Sequence, residues 1–232
     1  MSDEFYTFIV TSTINSDITH NNVFDNDVRY NQTLETLDSI HKHVPNVKIL
    51  LIDNSIEPLT EKQTKELESK VDVLHMIEHN VVTLFFNKMG LKGDGEIYMM
   101  YEAMKILRQH DMIGKRIFKL SGRYKLADTF SLDVYGLTQG NYVGRINQWD
   151  ASKDAWNTKE TIWYFETRLW SFCGSCFDEF EQLIPTIFAY MTTVDNNLEK
   201  AYLRLLPQDK IMDLKPIHVE GYTADTGIIK IE

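Results

Sequence analysis

Two short polar runs stand where apolar strands end, and their residue types suit a nucleoside. Tyr6-Thr7-Phe8-Ile9-Val10 runs out through Thr11, Ser12 and Thr13, and Val47-Lys48-Ile49-Leu50-Leu51-Ile52 runs out into Asp53-Asn54-Ser55. Hydroxyls donate or accept hydrogen bonds, whereas an ionised Asp only accepts, so Asp53 is matched to donors on a base or ribose. A second chemically able group is Cys173-Gly174-Ser175-Cys176, which holds both cysteines of the chain. It reads as a redox pair, as half of a zinc site, or as two structural thiols beside a turn. A zinc site needs two further ligands, and the sequence has no second paired Cys/His cluster.

The elements that must position these residues follow from hydrophobic spacing. Tyr30, Leu34, Leu37 and Ile40 recur at helical intervals, which predicts a helix over Arg29 to Val44. Apolar strands joined by a helical crossover predict a parallel sheet whose strand ends share one edge, where the ligand sites of α/β folds lie. Pro58 is expected to open a polar helix ending near Lys70. Short strands are expected over Val71 to Ile77 and Val81 to Phe86, then a turn-rich loop from Asn87 to Gly93. Asp94 is expected to cap a helix with Ile97, Met100, Tyr101, Met104 and Leu107 on one face. A strand from Arg116 to Leu120 breaks at Ser121-Gly122.

Beyond residue 125 the pattern becomes mixed. Strands are expected near Asn141 to Ile146, over Thr161 to Ser171 and over Pro216 to Val219, with helices over Phe177 to Met191 and Asn196 to Leu206. No linker, repeat or low-complexity tract divides the chain. The expectation is one α/β domain over residues 1–232: an open, twisted, mainly parallel sheet flanked by helices, with an irregular α+β C-terminal part. Residues 1–125 form its nucleotide-binding half and 126–232 its acceptor-binding half.

The chain has 232 residues, with 34 acidic against 24 basic side chains and a net charge of −10. That balance argues against a nucleic-acid partner. No apolar run approaches the ~18 residues that span a bilayer. The acidic start, Met1-Ser2-Asp3-Glu4, does not read as a signal peptide, so a cytoplasmic location is the expectation.

In order and spacing, the Thr/Ser exit of the first strand, the Arg29-led helix with Thr33-Leu34-Glu35-Thr36-Leu37-Asp38-Ser39-Ile40, and the strand ending Ile52-Asp53-Asn54-Ser55 resemble the opening of GT-A glycosyltransferases, particularly the family 2-like branch. Asn87-x-x-Gly90 resembles the loop before that fold's second nucleotide-contacting helix. The resemblance implies a sheet that binds a nucleotide-activated sugar and passes its glycosyl group to a saccharide or glycan-precursor hydroxyl, as in polysaccharide biosynthesis. By position, Thr11, Ser12 and Thr13 would line the nucleoside pocket, with Asn54 beside them, and Asp53 would bond the base or ribose. Arg29 would reach a phosphate or simply begin its helix.

The chain departs from the pattern at the fourth strand. Most such transferases place an Asp-x-Asp there to hold a divalent ion against the diphosphate. This chain has Lys119-Leu120-Ser121-Gly122-Arg123-Tyr124-Lys125 instead. Its one literal Asp-x-Asp, Asp25-Asn26-Asp27, lies in the early loop and reads as solvated polar sequence. Fixed cations can replace a metal, because a leaving diphosphate develops negative charge that either can neutralise. Arg123 pairs well with phosphate oxygens, Lys119 and Lys125 flank it, and on an alternating strand Lys119, Ser121 and Arg123 would share a face. Gly122 would let a ligand approach the backbone. Lys92, before a helix start, makes a second anion-friendly place. Metal-independent or weakly metal-dependent transfer is the expectation; Mn2+ or Mg2+ would be the ion if one is used.

An inverting reaction needs a general base that reaches the acceptor hydroxyl. Asp195-Asn196-Asn197-Leu198-Glu199 resembles the acidic helix start that carries it in family 2-like enzymes, with Glu199 the first candidate and Asp195 the second; the alternative is an N-cap and a solvent-facing Glu. His218 precedes Gly221 by three residues, as does a metal or diphosphate ligand in several GT-A families, and is otherwise structural. Trp149 and Trp156, among polar residues, are the candidates for stacking on an acceptor sugar. Two other readings compete. A sugar nucleotidyltransferase would show a Gly-rich basic loop after the first strand, and Thr11 to Asn15 has neither Gly nor Lys. A catalytically inactive transferase-like domain would bind a glycan or a protein partner. Oligomeric state is not legible.

Overall fold

The computed structural model describes residues 4–16, 24–78, 86, 91–136, 141–150, 161–222 and 229–231. Its front half is a βα repeat: β1 (Tyr6–Ser12), α1 (Asn26–His43), β2 (Val47–Asp53), α2 (Glu61–Glu68), β3 (Val73–Met76), α3 (Lys92–Gln109) and β4 (Arg116–Ser121). β1 pairs in parallel with β2 on one side and with β4 on the other, and β3 extends the sheet beyond β2. Such a sheet is covered on both faces, and the strands read accordingly as continuous apolar runs. Side chains alternate across it. Phe8, Val10, Ile49 and Leu51 pack with Leu37 and Ile40 of α1, whereas Ile9, Leu50 and Ile52 pack with Ile97, Met100, Met104 and Leu107 of α3.

The second half continues through β5 (Tyr124–Leu126), α4 (Asp133–Gly136), β6 (Tyr142–Gly144), β7 (Ile146–Asp150), β8 (Thr161–Phe165), β9 (Leu169–Cys173), α5 (Phe177–Thr193), α6 (Leu198–Leu205), β10 (Ile211–Asp213), β11 (Val219–Tyr222) and β12 (Ile229–Ile231). β9 runs antiparallel beside β4, and the seven-stranded sheet has the order β10-β6-β9-β4-β1-β2-β3. One sheet therefore runs through both halves. A three-stranded ribbon, β12-β11-β5, and the β7-β8 hairpin complete the fold.

Several boundaries differ from expectation. α1 starts three residues early because the Asp25 side chain accepts from Val28 N at 2.8 Å and caps it, so the literal Asp-x-Asp supplies a helix cap. α2 is opened by Thr60 and Gln63 in a capping box, not by Pro58. α3 starts at Lys92 after Leu91, which makes no side-chain cap; Asp94 lies buried in its first turn. The expected strand over 161–171 is two strands, β8 and β9, separated by Glu166-Thr167-Arg168. The last expected strand begins only at Val219, because His218 has a left-handed backbone (φ 59°). The strand expected over 81–86 and the Asn87-x-x-Gly90 loop lie outside the described residues, apart from Phe86.

Candidate active site

The ends of β1, β2 and β4 meet at one edge of the sheet, and a buried carboxylate ties the first two together. Asp53 is fully buried. One of its oxygens accepts from Ser12 Oγ at 2.5 Å and from Ile14 N at 3.0 Å, and the other accepts from Ser55 N at 2.9 Å. Buried carboxylates need such donors. These three bonds tie the Asp53 carboxylate to the loops that follow β1 and β2. The neighbouring carbonyls are also occupied: Thr11 O takes Gly122 N at 2.8 Å, Ser12 O takes Asn54 N at 2.9 Å, and Thr13 O takes the Arg29 guanidinium.

β4 reaches this edge and then changes faces. Ser121 still lies on the α3 side, where Lys119 Nζ donates to its Oγ at 2.9 Å. Gly122 then turns the chain toward α1. A Cβ there would lie 3.1 Å from Ser12 Cβ and 3.2 Å from Thr11 O, so the glycine allows close packing against β1. Hydroxyls of α1 hold the arm that follows. Thr33 Oγ1 lies 3.2 Å from Gly122 O, Thr36 Oγ1 donates to Tyr124 O at 3.0 Å, and Ser39 Oγ accepts from Leu126 N at 2.9 Å. These positions, three apart on one helix face, secure Arg123 beside Arg29.

The two guanidiniums are mutually unfavourable. Burial, then the charge of Arg123, lowers Arg29 to about 10, while Asp53 opposes the shift. Arg29 therefore remains cationic at neutral pH, and a bound anion would relieve the repulsion. The expected row Lys119–Ser121–Arg123 is divided by the Gly122 turn. Lys119 goes to the α3 side. Lys125 lies half-exposed with Nζ 3.4 Å from Glu220 Oε2.

On the α3 side, Lys119 is fully buried. Its ammonium donates to Glu96 Oε1 at 2.6 Å, to Ser121 Oγ at 2.9 Å and to Thr167 O at 2.8 Å. Thr167 Oγ1 also donates to Glu199 Oε1 at 3.3 Å, which brings the first-choice base to the end of β4. Desolvation, then the charge of Glu96, raises the Glu199 carboxyl above its ordinary value. Flanking Thr167, Arg168 grips Glu166 through Nε–Oε1 at 2.6 Å and Nη2–Oε2 at 2.5 Å, and its guanidinium lies over the Tyr124 ring 5.5 Å from the centroid. Glu96 and the Glu166-Thr167-Arg168 turn were not singled out from sequence. The available signal for the turn was three polar residues in succession inside an aromatic run.

Other expected residues lie differently. Asp195 makes an ion pair with Lys200 at 2.8 Å, and the cap of α6 is Asn197, which accepts from Lys200 N. Asn54 is buried 3.6 Å from a Cβ built on Gly95, so it lies against the start of α3; Lys92 is exposed at that start. His218 Nδ1 lies 2.9 Å from Thr129 Oγ1, which engages that ring nitrogen. Trp149 lies on β7 opposite Ile162 in register, and Trp156 lies outside the described residues. Cys173 and Cys176, just before α5, are not joined in a disulfide, and burial raises Cys176. Among the described residues no three His, Cys, Asp or Glu side chains converge on a metal position. Arg123 instead lies close enough to Arg29 at the end of β4 to lower its proton affinity.

No known family model matches the chain, and no curated protein matches it in sequence. Its fold is nevertheless shared. The bifunctional glycosyltransferase WbbM superposes with a TM-score of 0.52 at 9% identity over 91% of this chain and 39% of that one. The glycosyltransferase GlyE of Streptococcus pneumoniae superposes with a TM-score of 0.50 at 9% identity over 91% of this chain and 45% of that one. The chain thus spans less than half the length of these two proteins. It has the GT-A-like fold of nucleotide-sugar transferases. No helix among the described residues is long and apolar enough to cross a membrane.

Proposed function

We propose that the chain is a glycosyltransferase that moves a sugar from a nucleotide-activated donor to a hydroxyl of a saccharide or glycan precursor. The observation that carries this reading is the division of charge at the end of β4. Two cations, Arg29 and Arg123, stand on the α1 side, and a carboxylate with raised proton affinity, Glu199, stands on the α3 side. Displacement at an activated sugar needs both: cations where the diphosphate gathers charge, and a base where the acceptor loses a proton.

In this reading the nucleoside lies against Thr11 to Thr13 and Asn54, whose backbone is held in place by Asp53. The diphosphate meets Arg29 and Arg123, with Gly122 and Tyr124 shaping the arm. The acceptor oxygen forms its bond to the anomeric carbon as the bond from that carbon to the phosphate oxygen breaks. The hydroxyl proton passes to Glu199, and the electron pair of the broken bond leaves on the diphosphate. Glu199 in this role implies inversion. Lys92, His218, Asp195, Trp149 and Trp156 stay proposals for donor or acceptor contact.

A thermal-shift screen against UDP-, GDP-, CMP- and dTDP-sugars, with and without divalent ions, tests the reading. Stabilisation by one donor class, followed by release of its nucleotide in the presence of an acceptor, is expected. Binding of nucleoside diphosphates with no sugar release to water or any acceptor would favour the inactive, ligand-binding alternative.

A further inference from the structure

The α3 side of the site holds more charge than the transfer step uses. Lys119 is fully buried in the sheet, and its only carboxylate partner among the described residues is Glu96 at 2.6 Å. Thr167 links this pair to Glu199, since its carbonyl accepts from Lys119 at 2.8 Å and its hydroxyl donates to Glu199 at 3.3 Å. Tyr202, three residues beyond Glu199 on α6, is fully buried, and its hydroxyl makes no hydrogen bond among the described residues. Across the sheet, Lys119 is registered with Trp170, whose ring lies 5.1 Å from that of Tyr202. Two carboxylates therefore lie near one ammonium, with Glu96 bonded to it and Glu199 reached through Thr167.

Charge arithmetic then constrains the cluster. Burial penalises net charge, and one ammonium can compensate only one carboxylate. Geometry decides which, because Lys119 is in direct contact with Glu96 and reaches Glu199 only through Thr167. We propose that Lys119 and Glu96 are positioning residues that set the charge of Glu199: the ammonium is spent on Glu96, so the proton the cluster can hold resides on Glu199, which becomes a stronger base than an ordinary glutamate. The groups facing Glu199 are Glu96 from α3, Lys119 from β4 and Tyr202 from α6. Glu166 and Arg168, on either side of Thr167, neutralise each other. The raised proton affinity of Glu199, caused first by its burial and then by the charge of Glu96, agrees with this arrangement. The benefit to catalysis rests on the transferase reading; the charge device itself does not.

The device can be read without substrate. In protein labelled with 13C at glutamate carboxyls, with the signal assigned through Glu199→Gln, the titration midpoint of Glu199 should lie above that of a free glutamate. Glu96→Gln removes the like charge and releases Lys119 toward Glu199, so the midpoint should fall by about one pH unit, a tenfold change in proton affinity. Lys119→Met should move it the opposite way, and the double variant should bring it back toward the wild-type value. An unchanged midpoint in Glu96→Gln, or shifts of the same sign in both single variants, would overturn the proposal. If Lys119→Met does not fold, the Glu96→Gln shift decides alone. Where a transferase assay is in hand, the acid limb of the rate–pH profile should move with the midpoints. Opposed midpoint shifts without transfer to any acceptor would sink the functional reading and leave the charge device standing.

Discussion

The Ser12 hydroxyl donates to the Asp53 carboxylate at 2.5 Å across the ends of two adjacent parallel strands. This bond, with the two backbone donors on the same carboxylate, fixes the path of the chain where β1 and β2 give way to loops. Asp53→Ala would leave those donors unmet in a dry place. We expect a loss of about 3 kcal/mol in urea unfolding. A loss below about 0.5 kcal/mol would mean that the carboxylate is not the post of this edge.

Inorganic pyrophosphate alone should raise the melting temperature, because it relieves the repulsion between Arg29 and Arg123. Linkage gives about 2.7 kcal/mol at a hundredfold excess over Kd, and salt should weaken it. Arg123→Ala should abolish the response to pyrophosphate and to nucleotide sugar while shifting the unliganded melting temperature by only a few degrees. An unchanged ligand response would remove Arg123 from the site.

Glu199→Gln keeps the shape of the side chain and removes the base. The transfer rate should fall by about a hundredfold or more, with the donor-induced thermal shift retained. A variant that keeps most of its rate would assign the proton to another group.

The same substitution has a stability signature. The folded state raises the proton affinity of Glu199 above its ordinary value of 4.5. Between the unfolded and folded values the native chain binds more protons, so the stabilising contribution is complete below about pH 4.5 and is lost as pH rises through the folded value. Glu199→Gln should thus gain on wild type in chemical denaturation as pH is raised from 4 to 8. A constant difference across that range would contradict the burial of this carboxyl beside Glu96.

Gly122→Ala would place a methyl 3.1 Å from Ser12 Cβ and 3.2 Å from Thr11 O. The arm must then move by a few tenths of an ångström, at about 1–2 kcal/mol of stability. Because Arg123 travels with the arm, donor affinity should fall more than stability does, which calorimetric titration against the preferred donor would show. Equal donor binding would mean that the arm does not set the position of Arg123.

The continuous apolar runs of β1, β2 and β4 and the helical stripes of α1 and α3 made the front sheet legible, because burial on two faces demands such runs. The same reasoning failed at Glu166-Thr167-Arg168, where six aromatic and apolar neighbours between Thr161 and Ser171 suggested one strand. There the chain reverses beside Ser121, and Arg168 O accepts from Ser121 N at 2.9 Å, a pairing set by a strand nearly fifty residues earlier. Helix starts were misplaced for a related reason. Asp25, Thr60 and Asn197 cap their helices through local bonds, but equally polar neighbours such as Asp94 and Asp195 offered the same side-chain chemistry.

By itself the amino-acid order determined β1, α1, β2, α3 and β4 with their parallel arrangement, and the replacement of acidic residues by Ser121-Gly122-Arg123 at the end of β4, because these depend on local periodicity and composition. Only the tertiary structure decided where each charge went. It sealed Asp53 beneath Ser12, Ile14 and Ser55, turned Arg123 to Arg29, and gave Lys119 to Glu96 rather than to a ligand. Those outcomes hang on which groups, distant in sequence, share a desolvated volume. A buried charge takes the partner that packing brings to it.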